Sequence, residues 1–198
     1  MTVKLLAILA ICTSSFANAN NEFRDFFNAV NTLSSNFNQQ TLDESGQIIA
    51  NTSGYLKFKR PAQFVWQTRQ PIEQTLVLNN NELWLVDQEL EQASMRNLDE
   101  LNNTPLYWLI NRPETLKTLP TFKQETHGIR WYQAQNANQL SFGFKDQQLA
   151  AIQLTNSLNQ TVLVNFDELV VNPAIDASAF ELSIGPDFDV IKPFSRIK

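Results

Sequence analysis

Through most of this chain apolar residues fall at every second position, in short runs broken by polar turns, and that period is the strongest constraint on its fold. Leu56 and Phe58 share one face of such a run with Arg60, if the strand continues that far, while Tyr55, Lys57 and Lys59 take the other and Pro61 ends it. Comparable runs follow at Phe64–Thr68, Gln74–Leu78, Glu82–Val86, Arg130–Gln135, Gln139–Lys145, Leu149–Thr155 and Thr161–Phe166. The alternation is cleanest in Leu140, Phe142 and Phe144, and again in Val162, Val164 and Phe166. Turns as short as Asn79-Asn80-Asn81 and Lys145-Asp146-Gln147 leave room only for hairpins, so the sheet is antiparallel.

Two segments depart from that period. From Glu22 to Phe37 the apolar residues Phe23, Phe26, Phe27, Val30, Leu33 and Phe37 are spaced by threes and fours, which predicts one amphipathic helix. Between Leu98 and Leu119, Thr104 reads as an N-cap with Pro105 at the first helical position, followed by Leu106-Tyr107-Trp108-Leu109-Ile110; Pro113 begins another short turn. The order is therefore helix, about four strands, helical insertion, at least four more strands. That is an α+β plan in which helices cover one side or mouth of a curled sheet. No linker, repeat or composition shift divides it, so residues 20–198 are expected to form one domain.

Residues 1–19 have the plan of a cleaved export signal: Lys4 at the start, an apolar run from Leu5 to Cys12, and Ala17-Asn18-Ala19 as the small-residue cleavage site. Cys12 also ends an apolar run as in a lipid-anchored precursor, but the bulky Ile11 precedes it and a better cleavage site follows. It is expected to leave with the signal, and the mature chain then has no cysteine. Removing this segment takes away one charge, Lys4, and leaves 14 basic and 20 acidic residues, a net charge of −6 with His neutral. Such a balance excludes nucleic-acid binding by bulk charge. No later stretch approaches the roughly 20 apolar residues of a membrane-spanning helix. With 14 Phe and 4 Trp, the chain has an aromatic-rich core, or aromatic surface facing a cavity.

Little in the sequence supports catalysis. His127, the single histidine, precedes Gly128 in a loop, and Asp43-Glu44 and Asp99-Glu100 sit in polar turns or helix starts. No metal, nucleotide or nucleophile motif occurs, and no cofactor is expected. Tripeptides of the N-glycosylation type begin at Asn51, Asn102 and Asn159, at the frequency an Asn-rich chain produces by chance. Arg60 stands out instead. From the residues alone two readings stay open: a side chain snorkelling to water from a strand end, or five donors bound to carbonyl oxygens of a helix folded over the sheet.

Lys59-Arg60-Pro61, Phe64-Val65-Trp66, Glu82-Leu83-Trp84, Glu91-Gln92-Ala93, Asn103-Thr104-Pro105 and the late stretch Ile175-Asp176-Ala177-Ser178-Ala179-Phe180 occur in the order seen in the periplasmic outer-membrane lipoprotein carriers, the LolA family, which this chain resembles from about residue 22 to its end. The resemblance implies an incomplete antiparallel β-barrel with helices as a lid over an apolar cavity. It implies a periplasmic, unanchored carrier that is not an enzyme. Such a carrier takes lipoproteins by their acyl chains from an inner-membrane ATP-driven release complex and delivers them to an outer-membrane acceptor lipoprotein. It also implies that Arg60 latches the lid through backbone carbonyls and that Phe64 lies where the release complex engages. Leu85 and Val86 depart from the aromatic pair often found there. From the alternation, Leu56, Phe58, Trp66, Leu140, Phe142 and Phe144 are the nominated cavity residues. An acceptor lipoprotein or a sensor of mislocalised lipoproteins, built on the same architecture, is the alternative reading.

Overall fold

The computed structural model describes residues 21–101, 104–135 and 139–192; the export signal read at residues 1–19, Cys12 included, and Asn102 and Asn103 lie outside them. Helix α1 (Glu22–Ala29) is followed by β1 (Thr32–Leu42), β2 (Ile48–Lys59), β3 (Gln63–Gln70), β4 (Gln74–Asn79), β5 (Glu82–Asp87) and β6 (Gln92–Arg96). Helix α2 (Pro105–Ile110) then stands between two 3-10 turns, Leu98–Leu101 and Pro113–Thr115. After it come β7 (Thr121–Thr126), β8 (Ile129–Gln133), β9 (Ser141–Lys145), β10 (Gln148–Thr155), β11 (Thr161–Val171), a 3-10 turn at Ala177–Phe180 and β12 (Asp189–Ile191).

Among the described residues all strands join one sheet in the order β12-β6-β5-β4-β3-β2-β1-β11-β10-β9-β8-β7. Neighbours are antiparallel, joined by hairpins except at β1–β11, and β12 alone among the described strands lies parallel to its neighbour, β6. β1 and β11 close the middle of the sheet, pairing Phe37 with Phe166 and Gln39 with Val164. The order has two free ends, so the sheet does not close on itself. It is strongly curled nonetheless. β5 and β10 stand six places apart, roughly 29 Å in a flat sheet at ~4.8 Å per strand, yet Leu83 and Leu85 line the same cavity as Ile152 and Leu154. A bulge between Ser53 and Gly54 contributes to this curvature: β2 and β3 approach there so closely that a Cβ on Gly54 would run into the Gln67 carbonyl.

The concave face carries the main core. Leu33, Phe37, Leu56, Phe58, Phe142 and Phe144 point inward from their strands at 1 % exposure or less, joined by Phe23 and Phe27 of α1. The convex face of β3–β6 is covered too. Val65 and Val77 pack with Phe180, and Trp84, Val86 and Ala93 pack with Leu182, Ile184 and Phe188 of the C-terminal segment. Those strands are buried on both sides, which is why Phe64-Val65 and Val77-Leu78 read as adjacent apolar pairs.

The sequence reading needs correction at three places. The helix expected over Glu22–Phe37 ends at Ala29, and Leu33 and Phe37 belong to β1. A spacing of four suits either period; Ser35 between them is 3 % exposed, and its hydroxyl donates to the Asp167 carbonyl at 2.8 Å, as an inward strand position requires. Six strands rather than about four precede the insertion: Leu33 and Phe37 of β1 keep a helical spacing, and β6, Gln-Ala-Ser-Met-Arg, lacks an apolar alternation. The third is Arg60, which lies one residue beyond β2, not at its end.

Candidate functional site

The concave side of the curled sheet is filled in one half and open in the other. In the filled half α1 lies against β9. Asn21 caps the helix by accepting from the Arg24 amide at 3.1 Å, and one apolar face then presents Phe23, Phe26 and Phe27. The Phe23 ring meets Phe142 edge-on at 4.9 Å, and Phe26 meets Phe144 at 5.7 Å. The ends of α1 are tied down as well. Asn172, in the left-handed conformation at φ +56°, donates to the Ala29 carbonyl at 2.9 Å and accepts from the Asn31 amide at 2.8 Å. At the other end Arg130 of β8 pairs with Glu22 at 3.1 Å.

In the other half the protein leaves its interior empty. A cavity of about 570 Å³ opens there, within the ~300–1,000 Å³ of ordinary ligand sites. Its wall is apolar on three sides. Phe64, Trp66, Leu76, Leu83 and Leu85 come from β3–β5, Leu106 and Leu109 from α2, and Ile152, Leu154, Val162 and Val164 from β10 and β11. Pro105 starts α2, and positions 106 and 109 then share one face of that short helix.

Of the six residues nominated as cavity lining, Trp66 lines this cavity. Leu56, Phe58, Leu140, Phe142 and Phe144 do not; they lie buried in the filled half, where α1 occupies the space above Phe142 and Phe144. Phe64, expected at a partner contact, is 1 % exposed and faces the cavity. Strand alternation puts all these residues on the concave face but is silent on what fills the space above each. The lining from β10 and β11 follows the same alternation, and nothing in the sequence separates it from core.

Arg60 joins the two helices. One terminal nitrogen donates to the carbonyls of Phe27 at 2.5 Å and Val30 at 2.6 Å; the other donates to Leu109 at 3.0 Å and Asn111 at 3.1 Å. These are carbonyls at the C-terminal ends of α1 and α2, which have no partner within their own helices and carry the negative end of the helix dipole. The guanidinium also packs 5.5 Å from the Phe58 ring and 5.7 Å from Phe27. Burial, helped by the nearby Arg112 cation, pushes Arg60 down to about 10, so it remains charged at any physiological pH. Of the two readings open from sequence, the carbonyl-bound one is found. Arg112 adds a second link between the helical segments, donating to the Asn31 side chain at 2.5 Å.

Elsewhere, His127 is exposed in the β7–β8 turn, and among the described residues no group of His, Cys, Asp or Glu is placed to hold a metal ion. No helix among them is long and apolar enough to cross a membrane.

A family model described as outer membrane lipoprotein carrier protein LolA matches residues 28–183. An outer-membrane lipoprotein carrier protein of Hahella chejuensis is 31 % identical over 207 residues, covering 96 % of this chain and 97 % of its own. One from Pseudomonas aeruginosa PAO1 is 30 % identical over 173 residues, covering 83 % of each. Among solved structures, LolA superfamily protein NE2245 from Nitrosomonas europaea superposes with a TM-score of 0.46 at 8 % identity, over 81 % of this chain and 96 % of that one.

Proposed function

The chain belongs to the LolA family of outer-membrane lipoprotein carrier proteins, and from that membership we infer that it carries lipoproteins, holding their acyl chains in the cavity between α2 and the curled sheet. The observation that carries this reading is the cavity itself: an apolar space that the protein's own side chains do not fill. An empty apolar cavity is costly in a folded protein unless a ligand takes it.

Elementary energetics explain why such a carrier is needed. Each methylene moved out of water is worth roughly 0.8 kcal/mol, so one sixteen-carbon chain prefers an apolar site over water by about 12 kcal/mol. Cargo with several chains does not cross water unaided at any useful rate. The carrier must offer its own wall in place of the bilayer and then pass the load to a partner whose wall is better.

In this reading the protein is exported to the periplasm through the signal at residues 1–19, acts without chemistry of its own, and shuttles between an inner-membrane ATP-driven release complex and an outer-membrane acceptor lipoprotein. The helices serve as the lid and Arg60 as its latch. Support for the latch comes from its four carbonyl acceptors, two on each helical segment. By stabilising the empty closed form, the latch lowers net affinity for cargo and eases onward delivery. Leu56, Phe58, Leu140, Phe142 and Phe144 join Trp66 as acyl-chain wall once α1 lifts from them, and Phe64 meets the release complex in that open form.

The test is release. Inner-membrane vesicles containing the release complex and a labelled lipoprotein are incubated with ATP, with and without the purified chain. Labelled lipoprotein in the supernatant only when the chain is present supports the carrier function; equal release without it refutes that function.

A further inference from the structure

The cavity wall is not wholly apolar. Four polar side chains border it: Gln39, Glu100, Thr104 and Arg96. Two of them are occupied within the protein, since Thr104 donates its hydroxyl to the Leu101 carbonyl at 2.7 Å and Glu100 accepts from the Asn97 amide. Arg96 is exposed at the end of β6. Gln39 differs from all three. It lies within β1, two residues beyond Phe37 and on the same inward face as Leu33 and Phe37, paired with Val164 of β11 and Thr52 of β2. It is half-buried: on the cavity side the wall beside it is Trp66, Leu154, Val162 and Val164, and on its other side it borders a polar pocket with Thr52, Ser53 and Gln70.

Toward the cavity a carboxamide packs less well than Leu or Met, which would bury more apolar surface there. It is what a site needs that must fix the position of a ligand with a polar joint. Apolar walls hold a hydrocarbon chain without fixing how far it slides, and one hydrogen-bonding group sets the depth. In acylated cargo the chains are joined to glycerol through esters or to an amino group through an amide, and the carbonyl oxygens of both accept hydrogen bonds but cannot donate them. The NH2 group of a glutamine is the complementary partner.

We propose that Gln39 is a specificity-determining residue of the cavity, donating a hydrogen bond to the carbonyl oxygen at the head of a bound acyl chain, so that the site selects esterified or amidated chains over bare alkyl chains. This rests on the cavity being the acyl-binding site. It assigns the ligand's chemical class to one side chain: a long-chain acyl ester or amide, read at its carbonyl.

The experiment uses two probes of equal chain length and headgroup, 1-monopalmitoylglycerol and 1-O-hexadecylglycerol, which differ at the carbonyl. Each displaces a fluorescent apolar reporter, 1-aminoanthracene, from the purified chain, from Gln39→Met and from Gln39→Leu. Wild type should prefer the ester by about three- to tenfold, the value of one net hydrogen bond. In both variants the preference should collapse to less than about twofold while the ether binds as well as before or better. A thermal melt of each variant within a few degrees of wild type shows that the fold survives; Gln39→Met, unbranched and of similar length, is the variant to read if Gln39→Leu disturbs β1. Equal binding of the two probes by wild type overturns the assignment, as does an ester preference that persists in the variants. If wild type binds neither probe, the cavity is not an acyl site, and the carrier reading fails along with this one.

Discussion

The indole of Trp66 stands 4.2 Å from the Phe37 ring at a 30° tilt, and the two rings mark the boundary between the two halves of the interior. Phe37 is 1 % exposed within the packed core, whereas Trp66 lines the cavity. One side of that contact is ordinary protein interior. The other borders the cavity.

Truncations on the two sides should therefore cost different amounts. Phe142→Ala removes a ring in contact with Phe23, Phe27 and Trp108 and should lower unfolding stability by about 3–5 kcal/mol. Leu85→Ala shortens a half-buried side chain that already faces empty space and should cost about 1 kcal/mol or less while weakening cargo binding. Urea unfolding of both variants checks this, and equal losses would mean that the cavity wall is packed like the core.

The Arg60 cluster makes a second prediction. Arg60→Leu keeps the apolar stem and removes four charge-assisted hydrogen bonds to α1 and α2. If the net loss is about 2 kcal/mol, the open form gains roughly 30-fold over the closed one. The variant should bind an apolar reporter more tightly than wild type and pass lipoprotein to an acceptor more slowly. Arg60→Lys should fall between them, because an ammonium is a point charge and cannot serve two pairs of carbonyls in a fixed plane. Delivery by Arg60→Leu at the wild-type rate would remove the latch from the account.

Asn172 should matter for a different reason. Its side chain ties Ala29 to the Asn31 and Thr32 amides, and its backbone is left-handed at φ +56°. Asn172→Gly keeps that backbone accessible and loses only the side-chain bonds, for about 1 kcal/mol; Asn172→Ala adds the cost of a left-handed alanine and should lose about 2 kcal/mol. Thermal melts of the pair order them, and the reverse order would show that the backbone conformation is not what asparagine supplies.

The pH profile follows from turn carboxylates. Asp43, Asp87 and Asp176 are each held below the usual carboxylate range, Asp43 and Asp87 chiefly by side-chain hydrogen bonds from Ser45 and Gln74, Asp176 by the Ser178 amide. A carboxyl whose folded pKa is depressed adds stability above its unfolded value and loses it as pH falls through the folded one. Stability should be level through neutral pH and decline below about pH 4. Since Arg60 is a cation across that whole range, reporter binding should show no step between about pH 6 and 9. A step there would implicate a group outside this set.

How far the sequence could be read depended on whether period or occupancy was in question. Hairpins such as β4–β5 and β9–β10 were legible because alternation and short turns state them directly. β7 was not, since each of its residues is exposed and it has no apolar face to betray it. Leu33 and Phe37 misled because a spacing of four suits a helix and a strand equally. Arg60 could be singled out as an unusual charge, but its carbonyl partners lie on two helices that only the fold brings together. Least legible was the cavity. Phe142 and Val164 obey the same inward alternation, and what separates them is that α1 packs on one and the cavity borders the other.

The central claim, that this interior is left open for another molecule's hydrocarbon, is tested most directly by filling it. Native mass spectrometry of the purified chain mixed with a synthetic triacylated lipopeptide should show a one-to-one complex for wild type. Leu85→Trp and Leu154→Trp, which place an indole into the cavity, should retain the fold and lose the complex. A wild-type chain that forms no complex, or filled variants that bind as well as wild type, would contradict the account.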